Sequence, residues 1–154
     1  MKEHIVSVHL QRDGSVFVQT YSEMTGLADI GDGLPLVVES MNDPERLGAV
    51  VLDALRASNR RPLPYRNLRE DPPDREFLAW LGVQSYGRYM RGVRSLGVDA
   101  HFDEVIREIT ITPESNDGPR GGFSPISEER FSIMFESPEQ LGRAVQAAMA
   151  KATL

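Results

Sequence analysis

The most constraining feature of this chain is a helix opening that occurs twice. Pro44-Glu45-Arg46-Leu47-Gly48 is echoed by Pro138-Glu139-Gln140-Leu141-Gly142. Continued without a gap, Val51 meets Val145, Ala54 meets Ala148 and Leu55 meets Met149. Asp43 and Ser137 precede the two prolines as N-cap residues, and proline suits the first helical position. Ser137 and Gln140 also have capping-box spacing. In the first segment Leu47, Val50, Val51, Ala54 and Leu55 form one apolar stripe at helical spacing, which predicts a helix ending near Ser58. A glycine inside a helix costs about 1 kcal/mol relative to alanine. Its presence at the same turn of both helices predicts a close backbone approach there, with a helix lying on a sheet as the expected geometry.

Strands are expected before each helix. His4 to Gln11 and Ser15 to Tyr21 alternate and are rich in β-branched residues. Asp13-Gly14 between them predicts a two-residue hairpin turn, which would set Leu10 against Phe17 and Val6 against Tyr21. Leu34 to Ser40 reads as a strand whose Pro35 favours an edge. Ser95 to Phe102, Val105 to Thr112 and Arg130 to Phe135 complete the set. Glu23 to Gly33 and Pro113 to Pro125 read as loops. Asn59 to Pro73 reads as an extended Pro- and Arg-rich connection, followed by short helices at Asp74 to Leu81 and Ser85 to Met90. The reading is an α+β fold: a mainly antiparallel sheet with helices packed on one side. The 154 residues are expected to form one domain of two β-β-β-α half-repeats, 1–58 and 92–154.

The composition narrows the function. Apolar residues are 40% and charged residues 26%, which excludes a wholly disordered chain. There is no cysteine, so disulfides, thiolate metal sites and thiol catalysis are excluded. No apolar run approaches the length of a membrane helix. The amino terminus lacks a basic start followed by an apolar stretch, so a cytoplasmic location is expected. Lys and Arg number 17 against 23 Asp and Glu, a net charge of −6. Such a chain has no long-range attraction for nucleic acid or for an anionic membrane, and is drawn instead to a basic partner.

The residues that could carry chemistry are few. His4 and His9 are five apart on a strand and point to opposite faces. His101 lies near Asp99, Asp103 and Glu104, the one place where a metal or an acid–base pair could be built. No phosphate loop, dinucleotide fingerprint, nucleophile elbow or calcium-loop spacing is present, and no cofactor is implied. Trp80, Tyr86 and Tyr89 fit either a recognition patch or core packing. The remaining signal is acidic clustering on segments read as exposed: Glu23, Asp29 and Asp32; Glu70, Asp71 and Asp74; Glu128 and Glu129. These are the candidate partner-binding residues, since such clusters accelerate association with a basic surface.

Taken together, the hairpin with its Asp13-Gly14 turn, the segment from Pro44 to Ser58, its echo from Ser137 to Met149, and Trp80-Leu81-Gly82-Val83 before a short aromatic helix resemble one family. They are similar to the immunity proteins of bacterial contact-dependent growth inhibition systems. The resemblance implies a small cytoplasmic protein, not an enzyme, that binds the toxic carboxy-terminal domain of a secreted effector and neutralises it. Many toxins of that family are nucleases. The family has no shared binding motif to carry over, so the site residues rest on charge and position. Two other classes stay open: a small ligand-binding domain or metal-dependent enzyme using His101 and its carboxylates, and an adaptor or secretion chaperone.

Overall fold

The computed structural model describes residues 3–102 and 105–154. The strands are β1 (Glu3–Leu10), β2 (Val16–Met24), β3 (Ala28–Gly31), β4 (Leu36–Val38), β5 (Arg94–Phe102), β6 (Ile106–Asn116), β7 (Phe123–Pro125) and β8 (Phe131–Met134). The helices are α1 (Pro44–Ala57), α2 (Arg75–Leu81), α3 (Tyr86–Tyr89), α4 (Gly118–Gly121) and α5 (Pro138–Met149). One antiparallel sheet runs β3-β2-β1-β5-β6-β7, with β4 also paired to β2 and β8 to β6. The expected α+β architecture is therefore present.

The order β1, β2, β4, α1 is repeated as β5, β6, β8, α5. The two halves meet where β1 pairs antiparallel with β5, Val6 opposite Val98, so each runs outward from the centre in the same order. Both long helices cover the same face of the sheet. Their stripes, including Leu47, Val51 and Leu55 of α1 and Leu141, Val145 and Ala148 of α5, are sealed against Val6, Val8, Val18, Leu96, Val98, Ile109 and Ile111.

The paired glycines lie where the two helices cross. A Cβ on Gly48 would overlap the Pro138 carbonyl oxygen and come 2.8 Å from the Gly142 nitrogen. A Cβ on Gly142 would overlap the Pro44 carbonyl oxygen and come 2.8 Å from Pro44 Cα. The expected close approach is real, but it is helix against helix and not helix against sheet. With no Cβ, each glycine turns a Cα hydrogen toward the other helix's carbonyl, a weak hydrogen bond that recurs at tight helix pairs.

The helix ends match their local signals. Asp43 accepts from Arg46 N at 3.1 Å, and Ser137 Oγ accepts from Gln140 N at 3.1 Å. Gln140 Oε1 reaches back to Glu136 N at 2.7 Å, one residue beyond the usual capping-box partner. Gln146 Nε2 donates to Met41 O at 2.6 Å, so α5 is also tied to the segment that leads into α1.

Three segments differ from the sequence reading. The β1–β2 turn has three residues, Arg12-Asp13-Gly14: Gln11 N donates to Ser15 O at 2.8 Å and Gly14 N to Gln11 O at 3.0 Å. Gly14 takes φ +91°, the left-handed residue of a bulged three-residue hairpin. The register is therefore Leu10 with Val16, His9 with Phe17 and Ile5 with Tyr21. This one-residue shift is what gathers Val6, Val8, Val16 and Val18 on the helix-covered face. Second, Glu23 to Gly33 is not a loop: β2 continues to Met24 and turns through Thr25 and Gly26, both at positive φ, into β3. Third, β6 continues through Pro113 to Asn116. Pro113 O accepts from Ile126 N at 2.8 Å. The missing proline N–H faces the same side, where partner β7 gives way to β8, so no ladder bond is lost.

The two long helices lie on one face, as expected. The short α2 and α3 pack on part of the opposite face, where Phe17, Tyr89, Met90 and Val93 form a second buried cluster with Phe77, Leu78 and Tyr86.

Gly48→Ala and Gly142→Ala should each destabilise the chain by about 3 kcal/mol or more, because backbone and not a flexible side chain blocks the added methyl. Gly97→Ala, in a strand with nothing within 4 Å of the new Cβ, should change stability by no more than about 0.5 kcal/mol. Urea denaturation of the three variants measures this. Equal midpoints would contradict it.

Candidate functional site

Alternation along β1 and β2 decides what the second face presents. With the valines turned toward α1 and α5, His9, Phe17, Gln19 and Tyr21 turn the other way. The connection 59–73 brings α2 and α3 over them. Phe17 stacks on Tyr89 with centroids 6.2 Å apart and planes 3° apart, and Phe77 meets Tyr89 edge-on at 4.8 Å. Tyr86 lies 5.3 Å from Tyr89. Between sheet and helices lies a cavity of about 700 Å³, bordered also by Leu34, Pro35, Arg66, Asp74 and Glu76. This is the size range of ligand and side-chain pockets.

The connection is not a loosely solvated tether. Arg66 Nε and Nη2 bind Asp71 at 3.0 and 2.8 Å, and Nη2 also reaches Glu76 at 3.2 Å. Arg75 adds a contact to Asp71 at 3.3 Å. The hydrogen bond from Arg66 holds the Asp71 carboxyl below its ordinary range. This ion network fixes the entrance to α2.

The polar floor of the cavity is a defined network. His9 Nδ1 is 2.7 Å from the Tyr89 hydroxyl, and Gln11 Nε2 donates to that hydroxyl at 3.0 Å. The Tyr89 hydroxyl thus joins the His9 ring and the Gln11 amide in one hydrogen-bonded chain. Burial lowers the His9 pKa to about 4, so the ring is neutral at physiological pH. Burial likewise raises Tyr21, Tyr86 and Tyr89, which remain phenols. Gln19 Nε2 donates to Gly33 O at 3.0 Å and ties the β3–β4 turn to the floor.

Beyond the cavity the same face of the sheet carries two partly buried acids, Asp99 and Glu114. Ser95 Oγ donates to Glu114 at 2.5 Å, and burial raises the Glu114 carboxyl. Burial, and then the neighbouring Glu3, raise the Asp99 pKa to about 6.

The candidate residues read from the sequence separate into distinct places. Glu23 and Asp29 face each other across β2–β3 and border a shallow depression of about 400 Å³ with Glu3 and Asn59. Asp32 accepts from Ser22 Oγ at 2.7 Å. Asp71 is held in the arginine network, and Glu70 contributes its carbonyl to Arg75 at 2.6 Å. Asp74 alone of these acids lines the aromatic cavity. Glu128 and Glu129 form a 3-10 turn elsewhere, where Glu129 pairs with Lys151 at 2.8 Å. His101 stands opposite Glu3 on β1; Asp103 and Glu104 lie outside the described residues. Among the described residues no group of three His, Asp or Glu side chains could hold a metal, and no helix is long and apolar enough to cross a membrane.

Sequence reasoning did not single out Phe17, Gln19, Tyr21, Arg66 or Phe77. The available signal was in β2, where Phe, Gln and Tyr alternate with Val, Val and Thr: one face aliphatic, the other large and polar. Tyr89 is buried while Trp80 remains 44% exposed, so the aromatic group is core and surface at once.

No family model and no curated protein matches the sequence. Solved structures do match the fold. A protein of unknown function from Neisseria meningitidis is similar with a TM-score of 0.73 at 16% identity, covering 98% of this chain and 96% of that one. A chain of the CdiA-CT/CdiI toxin and immunity complex from Yersinia pseudotuberculosis is similar with a TM-score of 0.70 at 17% identity, covering 99% and 98%. The shared architecture runs end to end.

The buried His9 generates a pH prediction. Its folded pKa of about 4 lies below the ordinary 6.5, so the unfolded chain binds the extra proton between those values. Stability contributed by neutral His9 is full above about 6.5 and is lost as pH falls toward 4, up to about 3 kcal/mol. Asp99 and Glu114, with raised carboxyls, act in the opposite sense. The wild-type profile is therefore flattened, and His9→Gln should gain stability relative to wild type as pH falls from 6.5 to 4. Denaturation midpoints across that range test it; parallel profiles would contradict it.

Proposed function

We propose that this chain is an immunity protein of a contact-dependent growth inhibition system: it binds the toxic carboxy-terminal domain of an effector in the cytoplasm and blocks it. The observation that carries this reading is the fold likeness, over the whole of both chains, to a chain of a toxin and immunity complex. The sequence features that resemble the family lie on the elements that build this fold, the β1–β2 hairpin and the α1–α5 pair.

The chemistry supports a binding role over a catalytic one. The face opposite the long helices is a half-covered sheet with aromatic walls, protonated tyrosines and a neutral histidine, suited to contact with a partner. The net charge of −6 suits a basic target. A nuclease toxin must carry a positive surface for its phosphate backbone, and an acidic inhibitor competes for it. We read the chain as one domain whose halves span 1–58 and 92–154. The acids Glu23, Asp29, Asp32, Glu70, Asp71, Glu128 and Glu129 contribute long-range attraction, and Asp74 contributes direct contact.

The test is co-purification with the toxin domain encoded beside this chain, together with growth of cells expressing that domain. A stoichiometric complex and restored growth are expected, and absence of both overturns the reading. Association should also slow about tenfold or more as added salt shortens the screening length from about 30 to 8 Å. A salt-independent association rate in stopped flow would contradict the electrostatic argument.

A further inference from the structure

We propose that the cavity between the sheet and α2–α3 receives a cationic side chain, an arginine or lysine, presented by the toxin partner. The source of the side chain rests on the immunity reading; the chemistry of the pocket stands on its own residues.

Four observations point to a cation. The walls are faces and edges of Phe17, Phe77, Tyr86 and Tyr89, and ring faces attract positive charge most strongly where water is excluded. Asp74 lines the cavity, half-buried at the start of α2, yet its side chain caps nothing. Its carboxylate makes no ion pair or hydrogen bond with the described residues, and Tyr86 lines the same cavity. A carboxylate so placed lacks a compensating charge that a partner can supply. Third, Arg66 already shows what this acidic edge accepts: its guanidinium is held there by Asp71 and Glu76. Fourth, the imidazole in the floor is neutral and adds no positive charge of its own. An anion would meet Asp74 and Glu76 with only Arg66, already engaged by carboxylates, to offset them.

The surround fits a protein donor. Leu34, which lines the cavity, is 47% exposed, and Val37 and Trp80, which adjoin Phe17, are 46% and 44% exposed. Val37 stands opposite Phe17 on the adjoining strand, and Trp80 is 5.5 Å from the Phe17 ring. An apolar rim around a central polar anchor excludes water from it, the arrangement of binding hot spots. At about 700 Å³ the cavity holds a long side chain with part of the loop that carries it.

The experiment has two arms. In the first, affinity for the neighbouring toxin domain is measured by calorimetry for wild type, Asp74→Asn, Tyr86→Phe and Glu139→Gln. Asp74→Asn should weaken binding by at least about 30-fold, and Tyr86→Phe by up to about 10-fold. Glu139→Gln, an equal charge change on α5, should leave it within about twofold. If wild type binds and Asp74→Asn binds equally, this inference fails and the immunity reading stands. If wild type does not bind, the immunity reading fails, and the partner assigned to the cavity fails with it. In the second arm, fluorescence of Trp80, the only tryptophan, follows titration with acetyl-arginine amide and with its neutral analogue acetyl-citrulline amide. A saturable response to the arginine compound that is lost in Asp74→Asn is expected. Equal responses to both compounds would overturn the cationic pocket whatever the toxin result. Circular dichroism confirms that each variant is folded.

Discussion

The contact between Gly48 and Gly142 is the point on which the architecture turns. Two helices lie side by side on one face of an antiparallel sheet, and their backbones approach more closely than any side chain permits. Each helix presents its first-turn proline carbonyl to the other's glycine. The crossing thus fixes both helices at their amino-terminal ends and does so reciprocally. Because each helix is tied to its own half of the sheet, the crossing also locks the halves together above the β1–β5 seam. Thr20 Oγ1 bonding Ala54 O at 2.9 Å and Gln146 bonding Met41 O at 2.6 Å hold the same arrangement from its flanks.

That closure has a consequence for the opposite face. The long helices satisfy the aliphatic side of every central strand, so the other side need not be aliphatic. It carries His9, Gln19, Tyr21, Ser95, Asp99 and Glu114, and only part of it is covered, by the short α2 and α3. The covering segment is held by an ion network at the entrance to α2 and by the buried cluster of Phe17, Tyr89, Met90 and Val93. The neutral His9 fits the same setting: its ring is hydrogen-bonded to the Tyr89 hydroxyl inside an aromatic cluster, where a charge would be costly.

What was legible in the sequence follows from the range of the interactions involved. The caps, the first-turn prolines and the apolar stripes of α1 and α5 are local signals, and both helices begin where those signals place them. The repeated glycine was legible as a close approach, but its partner was not, because nothing within either segment distinguishes a helix from a sheet as the neighbour. The hairpin register was missed by one residue because Asp13-Gly14 is the usual two-residue turn, whereas here Arg12 joins the loop and Gly14 supplies its left-handed position. The candidate site was legible in Asp74, as surface charge, and in Tyr86 and Tyr89, which fit a recognition patch or core packing equally well. Its members come together from far apart in the chain: His9 and Tyr89 bond across 80 residues. No local pattern announces such a pairing; it exists once the β2 register turns Phe17 and Tyr21 away from the long helices.

We propose that the long helices are scaffold and that the partner binds the opposite face, where the aromatic cavity lies. Hydrogen–deuterium exchange of the chain alone and in complex with the neighbouring toxin domain tests this most directly. The predicted result is new protection in α2, α3, the β3–β4 turn and the adjoining part of β2, with α1 and α5 unchanged. New protection confined to α1 and α5, with α2 and α3 unaffected, would contradict it.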